Sequence, residues 1–155
     1  MANKLAEEHV VPAIEAVSIT AAKNGDVVGC HEAQEVEVDV VVGSLTPDLA
    51  ITIEECDDIV PTTPAAIGFD YQKSSALGTD AMGAVTAAGV GGVTLTGTTD
   101  NNKMVRCYVD PRKLSSGTPY LRVVLTPSAA TACLVAAIYR LRLRYPQEIP
   151  SSQVD

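Results

Sequence analysis

Two runs of this chain alternate charged and apolar residues with a period of two, and that period fits a strand and no other regular element. The first is Glu35-Val36-Glu37-Val38-Asp39-Val40; the second is Tyr139-Arg140-Leu141-Arg142-Leu143-Arg144-Tyr145. Successive side chains of a strand point to opposite faces. Glu35, Glu37 and Asp39 therefore share one face, with Val36, Val38 and Val40 on the other. Likewise Arg140, Arg142 and Arg144 point one way, and Tyr139, Leu141, Leu143 and Tyr145 the other. Opposite charges facing each other on neighbouring strands contribute roughly 0.2–1 kcal/mol per pair. The acidic and basic ladders are thus expected to pair, within one subunit or between two. The alternative is two solvated outer faces, where ion pairs stabilise little.

The rest of the chain also reads as β. Strands are expected at Val27–Cys30, Gln34–Val42, Leu49–Cys56, Ile67–Lys73, Val93–Thr98, Met104–Val109, around Leu121–Leu125 and over Thr131–Tyr145. In the Met104–Val109 run, Val105, Cys107 and Val109 take the buried side. Pro, Gly, Asn and Asp interrupt the runs roughly every ten residues, the spacing of an all-β sandwich or barrel. The expected fold is an antiparallel β-sandwich of about seven to eight strands, jelly-roll or Ig-like. Residues 1–25 read as an extended N-terminal arm, apolar at Val10, Val11, Pro12 and Ile14 but interrupted by the proline, with a short helix conceivable over Met1–Glu8. Residues 26–146 form the domain and 147–155 a tail. Ser74–Gly92 is too rich in small residues to bury much area, and reads as a loop with a short helix possible over Asp80–Ala88.

The last run is about 15 residues long, against 5–6 for a typical strand. Cys133, Val135 and Ala137 are in phase with the tyrosines, which leaves Leu134 and Ile138 on the arginine face. Apolar residues beside an arginine ladder suit a surface that meets another subunit.

Charge and composition limit the function. A formal net charge of -8 argues against nucleic acid and anionic membranes, which need a basic stripe. No apolar run approaches the roughly 20 residues that span a bilayer, and the first nine residues lack the apolar stretch of a secretory signal. The four cysteines, at 30, 56, 107 and 133, show no Cys-x-x-Cys spacing and read as buried thiols in a reducing compartment.

No catalytic, cofactor or metal constellation emerges. His9 and His31 are the two histidines, and no serine stands in a Gly-x-Ser-x-Gly elbow. Cys30-His31 is an adjacent pair, and neighbours in a strand face apart. Glu54, Glu55, Asp57 and Asp58 cluster at a strand end without the Asp-x-Asp-x-Asp-Gly spacing of a calcium loop. Ala88-Gly89-Val90-Gly91-Gly92 lacks the Gly-Lys-Ser/Thr ending of a phosphate loop and leads into a strand, so it reads as a hinge. The expectation is a non-enzymatic protein without a cofactor.

An ordered series in the C-terminal half carries a resemblance: Val109-Asp110-Pro111, Leu114, Tyr120 through Thr126, Ser128 through Cys133, Ala136 through Arg140, and Arg144-Tyr145-Pro146. Leu49 through Asp57 and Ala66 through Lys73 extend it. The series resembles small structural proteins encoded beside the major capsid protein of tailed bacteriophages. That resemblance implies a decoration, or cement, protein made in the host cytoplasm and placed on the capsid surface of the virion. Its partner would be the major capsid protein, and it would be a homo-oligomer, with a trimer favoured. On this reading the protein interfaces lie in the arm (Val10, Val11, Pro12, Ile14), the acidic ladder (Glu35, Glu37, Asp39) and the last strand (Leu134, Ile138, Arg140, Arg142, Arg144). Two alternatives stand beside it. One is a neck or tail adaptor that forms rings; the other is a carbohydrate-binding β-sandwich, calcium-assisted through Asp57 and Asp58.

Overall fold

A computed structural model describes residues 7–76 and 80–145. Most of the helix expected over Met1–Glu8, and all of the tail over 147–155, lie outside the described residues. Among the described residues twelve strands make two antiparallel sheets. They are β1 (Glu8–Ile19), β2 (Lys23–Asn24), β3 (Val28–Gly29), β4 (Ala33–Leu45), β5 (Leu49–Cys56), β6 (Ala65–Ile67), β7 (Phe69–Lys73), β8 (Thr86–Ala88), β9 (Val93–Leu95), β10 (Met104–Val109), β11 (Tyr120–Pro127) and β12 (Cys133–Leu143). A 3-10 turn over Pro111–Lys113 follows β10, capped by the Asp110 carboxylate, which accepts from the Arg112 amide.

Sheet A runs β1-β12-β4-β10-β7-β8 and sheet B runs β2-β11-β5-β6, with β3 also on β11 and β9 also on β5. The pairings nest: β1 with β12, β2 and β3 with β11, β4 with β10, and β5 with β9. That is one long hairpin wrapped into two sheets, the jelly-roll order, with β12 lying between β1 and β4 and β11 between β2 and β5. The chain switches sheets at Gly68, between β6 and β7, and again through 89–92, between β8 and β9. The segment expected as a hinge is thus a crossing turn, closed by the Gly92 amide on the Gly89 carbonyl at 2.9 Å.

Residues 8–19 of the expected arm are extended but not detached. They form β1, paired along its length with β12, with register shifts after Pro12 and Ile14. Val11, Ala13, Ile14 and Ile19 sit in the core. A chain lacking residues 1–20 would lose all four, so this segment belongs to the domain. The 80–88 stretch, where the sequence allows a short helix, instead holds strand β8 on the edge of sheet A.

The core is the space between the inner faces. Val36, Val38 and Val40 from β4 and Leu49, Ile51 and Ile53 from β5 belong to one core cluster, all at 0% exposure. Tyr139 ties the two layers together. It points inward at 0% exposure, and its hydroxyl donates to the Asp26 carbonyl and accepts from the Val123 amide, both at 2.8 Å. Burial pushes its phenol well above the ordinary value. Gly25 makes room for this bolt: a Cβ there would fall 2.8 Å from Val123 Cγ1 and 3.0 Å from the Tyr139 oxygen. All four cysteines are buried free thiols; burial raises Cys30 and Cys107 to about 12.

Candidate interaction surfaces

The two ladders meet on the outer face of sheet A, within one subunit. The antiparallel register of β12 on β4 sets Arg142 opposite Glu35, Arg140 opposite Glu37 and Ile138 opposite Asp39. Arg142 reaches Glu35 at 3.2 Å and Glu37 at 3.8 Å. Arg140 reaches Glu8 of β1 at 3.4 Å. Its Nε also lies 3.0 Å from Asp39 but makes no hydrogen bond there; the alignment is poor and the attraction is Coulombic.

A third arginine completes the array. Arg106 of β10 stands opposite Asp39 in register and grips it through Nε at 2.7 Å and a terminal nitrogen at 3.1 Å. Its Nε is 3.7 Å from Glu37. This fork on Asp39 raises the guanidinium's pKa above its ordinary value, against the opposing effect of burial. Asp39, 4% exposed, is the hub between two arginines. Beyond it the Tyr108 hydroxyl donates to Gln72 at 2.6 Å and continues the polar face onto β7.

The last two residues of the expected strand depart from the pattern. Strand β12 ends at Leu143, and there the chain turns: the Arg144 amide donates to the Glu32 carbonyl and its Nε to the Ala33 carbonyl at 3.1 Å. Arg144 therefore clamps backbone instead of joining the carboxylates. Tyr145, expected on the inner face, is 79% exposed past the same turn.

Leu134 and Ile138 are exposed on the arginine face, as their phase requires. They lie in an apolar corner. Ile138 stands opposite Pro12, Ala136 opposite Val41, and Leu134 covers Gly43, where a Cβ would fall 2.9 Å from its methyl group. Val10 and Val41, about half exposed, extend the corner along β1 and β4. Of the four arm residues expected at an interface, only Val10 and Pro12 face outward; Val11 and Ile14 are core, because the strand alternates and the bulge turns Ile14 inward.

Other exposed apolar side chains stand singly around β6 and β8. Ile59 and Val60 project from the loop after β5, and Val85 and Val90 flank β8, with 60–73% exposure at all but Ile59. The loop is held from within. The Asp57 carboxylate accepts from the Thr62 hydroxyl and from the Thr62 and Thr63 amides, which lowers its pKa to about 2. That is an Asx-type loop lock, not a cation site. The neighbouring acids also go separate ways: Glu54 pairs with Arg122 at 2.6 Å, Glu55 accepts from the Ser115 amide at 2.8 Å, and Asp58 accepts from the Ile59 amide. Among the described residues no group of three or more His, Cys, Asp or Glu side chains could hold a metal ion.

Cys30 and His31 diverge as expected, one 1% exposed and the other at the surface. His9 pairs with Leu141 in register, and its Nδ1 is buried without a hydrogen-bond partner among the described residues. An open groove of about 690 Å³ lies at the Gly68 corner, bordered by Glu35, Phe69, Asp70, Tyr108 and Lys113.

No family model matches this chain, and no curated protein does. Solved structures share a general likeness. The SPBc2 prophage-derived protein YomS matches over 87% of this chain and 92% of its own, at 15% identity and a TM-score of 0.45. The CBM22-1–GH10 modules of the Clostridium thermocellum xylanase Xyn10B match over 94% of this chain but 30% of theirs, at 8% identity and 0.40. The infectious bursal virus T=1 particle protein matches over 91% and 40%, at 12% identity and 0.29.

Proposed function

We propose that this chain is a virion structural protein of a tailed phage that binds the outside of the capsid and stabilises it, acting by binding alone. The observation that carries this reading is the small exposed apolar corner of Val10, Pro12, Val41, Leu134 and Ile138 on an ion-paired sandwich. Exposed apolar patches of a handful of side chains span on the order of a few hundred Å². A stable pairwise contact buries about 800 Å² per partner. Contacts of the smaller size hold when many are made at once, because linked sites multiply their affinities. A repeating shell supplies that multiplicity. The resemblance of the C-terminal half to capsid-associated proteins names the shell.

The test is to mix purified protein with undecorated capsid-like shells and measure bound copies per shell by co-sedimentation, then the shells' resistance to heat. Saturation at a fixed stoichiometry with a raised disruption temperature is expected. Protein that stays in the supernatant at every ratio rejects the proposal. A closed ring that ignores shells would move the protein to the neck or tail.

A further inference from the structure

We infer that the open groove at the Gly68 corner binds a chain of neutral sugars. The groove is about 690 Å³, within the usual range of ligand sites. Strand register sets a row across the outer face of sheet A: Glu37 on β4, Tyr108 on β10, Asp70 on β7 and Ala87 on β8. The last three line the groove. An aromatic ring thus stands between two carboxylates, and the edge strand beside them offers only methyl groups, at Ala87 and Ala88. The ring is pinned. Its hydroxyl donates to Gln72 at 2.6 Å, and the Gln72 amide donates in turn to the Gly83 carbonyl at 2.8 Å. A ring already held in place loses little freedom when a ligand packs on it.

The charges of the lining select the ligand. Glu35 pairs with Arg142, and Asp110 with Arg112. Glu55, a lining carboxylate only 7% exposed, is fixed by the Ser115 amide at 2.8 Å. The side chains of Asp70 and Lys113 have no ion pair or hydrogen bond among the described residues. What remains, Glu55 and Asp70 against Lys113, is close to balanced and draws neither ion strongly. An apolar ligand would strip water from these groups without replacing it. A ligand rich in hydroxyls answers them: one hydroxyl donates to Asp70, another accepts from Lys113, and the C–H face of a sugar ring packs on Tyr108. The groove meets β4 at Glu35, whereas the apolar corner meets it at Val41, ~20 Å along the strand. A glycan and a shell therefore need not compete.

The test is to titrate the intact protein with cellohexaose, maltohexaose, mannohexaose and chitohexaose and to follow backbone amide shifts by NMR. Saturable shifts confined to β7, β8, the end of β10 and residues 111–115 are expected with at least one of them, unchanged by EDTA. Asp70→Ala and Lys113→Ala, both at exposed positions, should each weaken that binding about tenfold or more. Asp58→Ala, outside the groove, should leave it unchanged. No saturable shift with any hexasaccharide at millimolar concentration, wild-type affinity in either groove variant, or a response to a lysine-rich peptide in place of the sugars overturns the inference. Loss of binding in EDTA or in Asp58→Ala also overturns it, and would move the site to the loop after β5. Shell binding is read separately: sugar binding by a protein that ignores shells would reject the proposed function and leave this inference standing.

Discussion

The two halves of β12 present the same outer face with opposite outcomes. From Arg140 to Arg142 the side chains are long and charged, and neighbours on β1 and β4 answer them: Glu8, Glu35, Glu37 and Asp39. From Leu134 to Ile138 they are apolar, and among the described residues their outer-face neighbours are Pro12, Val41 and Gly43. A charged face that closes on itself stiffens the sheet; an apolar face left open is what a partner can use. Conspicuous charge in a sequence is therefore a poorer guide to an interface than the quieter residues beside it.

Three substitutions would break or sharpen this contrast, and the deepest is expected to matter most. Tyr139 lies beneath the charged half, and Tyr139→Phe would strand the buried Val123 amide and remove the link to Asp26. A loss of about 1–3 kcal/mol in denaturant unfolding is expected; an unchanged midpoint would mean that water replaces the hydroxyl. Asp39→Ala would leave Arg106 and Arg140 facing each other without their hub. Because both guanidinium groups remain partly solvated, the expected cost is about 2 kcal/mol, between surface and buried pairs. Stability equal to wild type would show that the array is ornamental. Arg142→Ala removes an exposed pair, and should cost less than ~1 kcal/mol, shrinking further in high salt. A larger, salt-insensitive loss would show that Arg142 acts through packing.

The period-two runs made the sandwich and the inner face of β12 legible, since Val135, Ala137, Tyr139 and Leu141 are buried in phase. They also implied that the ladders would face opposite charge, though not that the partner strand was their own neighbour. Arg106 carried a readable signal, lying between Val105 and Cys107 on the outward phase, but a single arginine does not look like part of an array. Strand β1 was hidden by Pro12 and by the bulges, which break alternation. Strand β8 was hidden because Thr86-Ala87-Ala88 has no bulk to bury. The bolt through Tyr139 and the lock through Asp57 depend on residues brought together by the wrapped topology, and no local pattern announces them.

The wrapped hairpin also bears on how the chain reaches this fold. Its first strand pairs with its last, Glu8 opposite Arg142, so sheet A cannot be completed until nearly the whole chain is in place. Pairings of such long range make folding slow, in the millisecond-to-second range for all-β domains. During that wait β12 has neighbours on both sides to choose a register against, and a slip of one residue would turn Arg140 and Arg142 into the core. The ladders thus penalise the wrong alignment, because a slipped β12 would have to bury charges that the native register keeps at the surface.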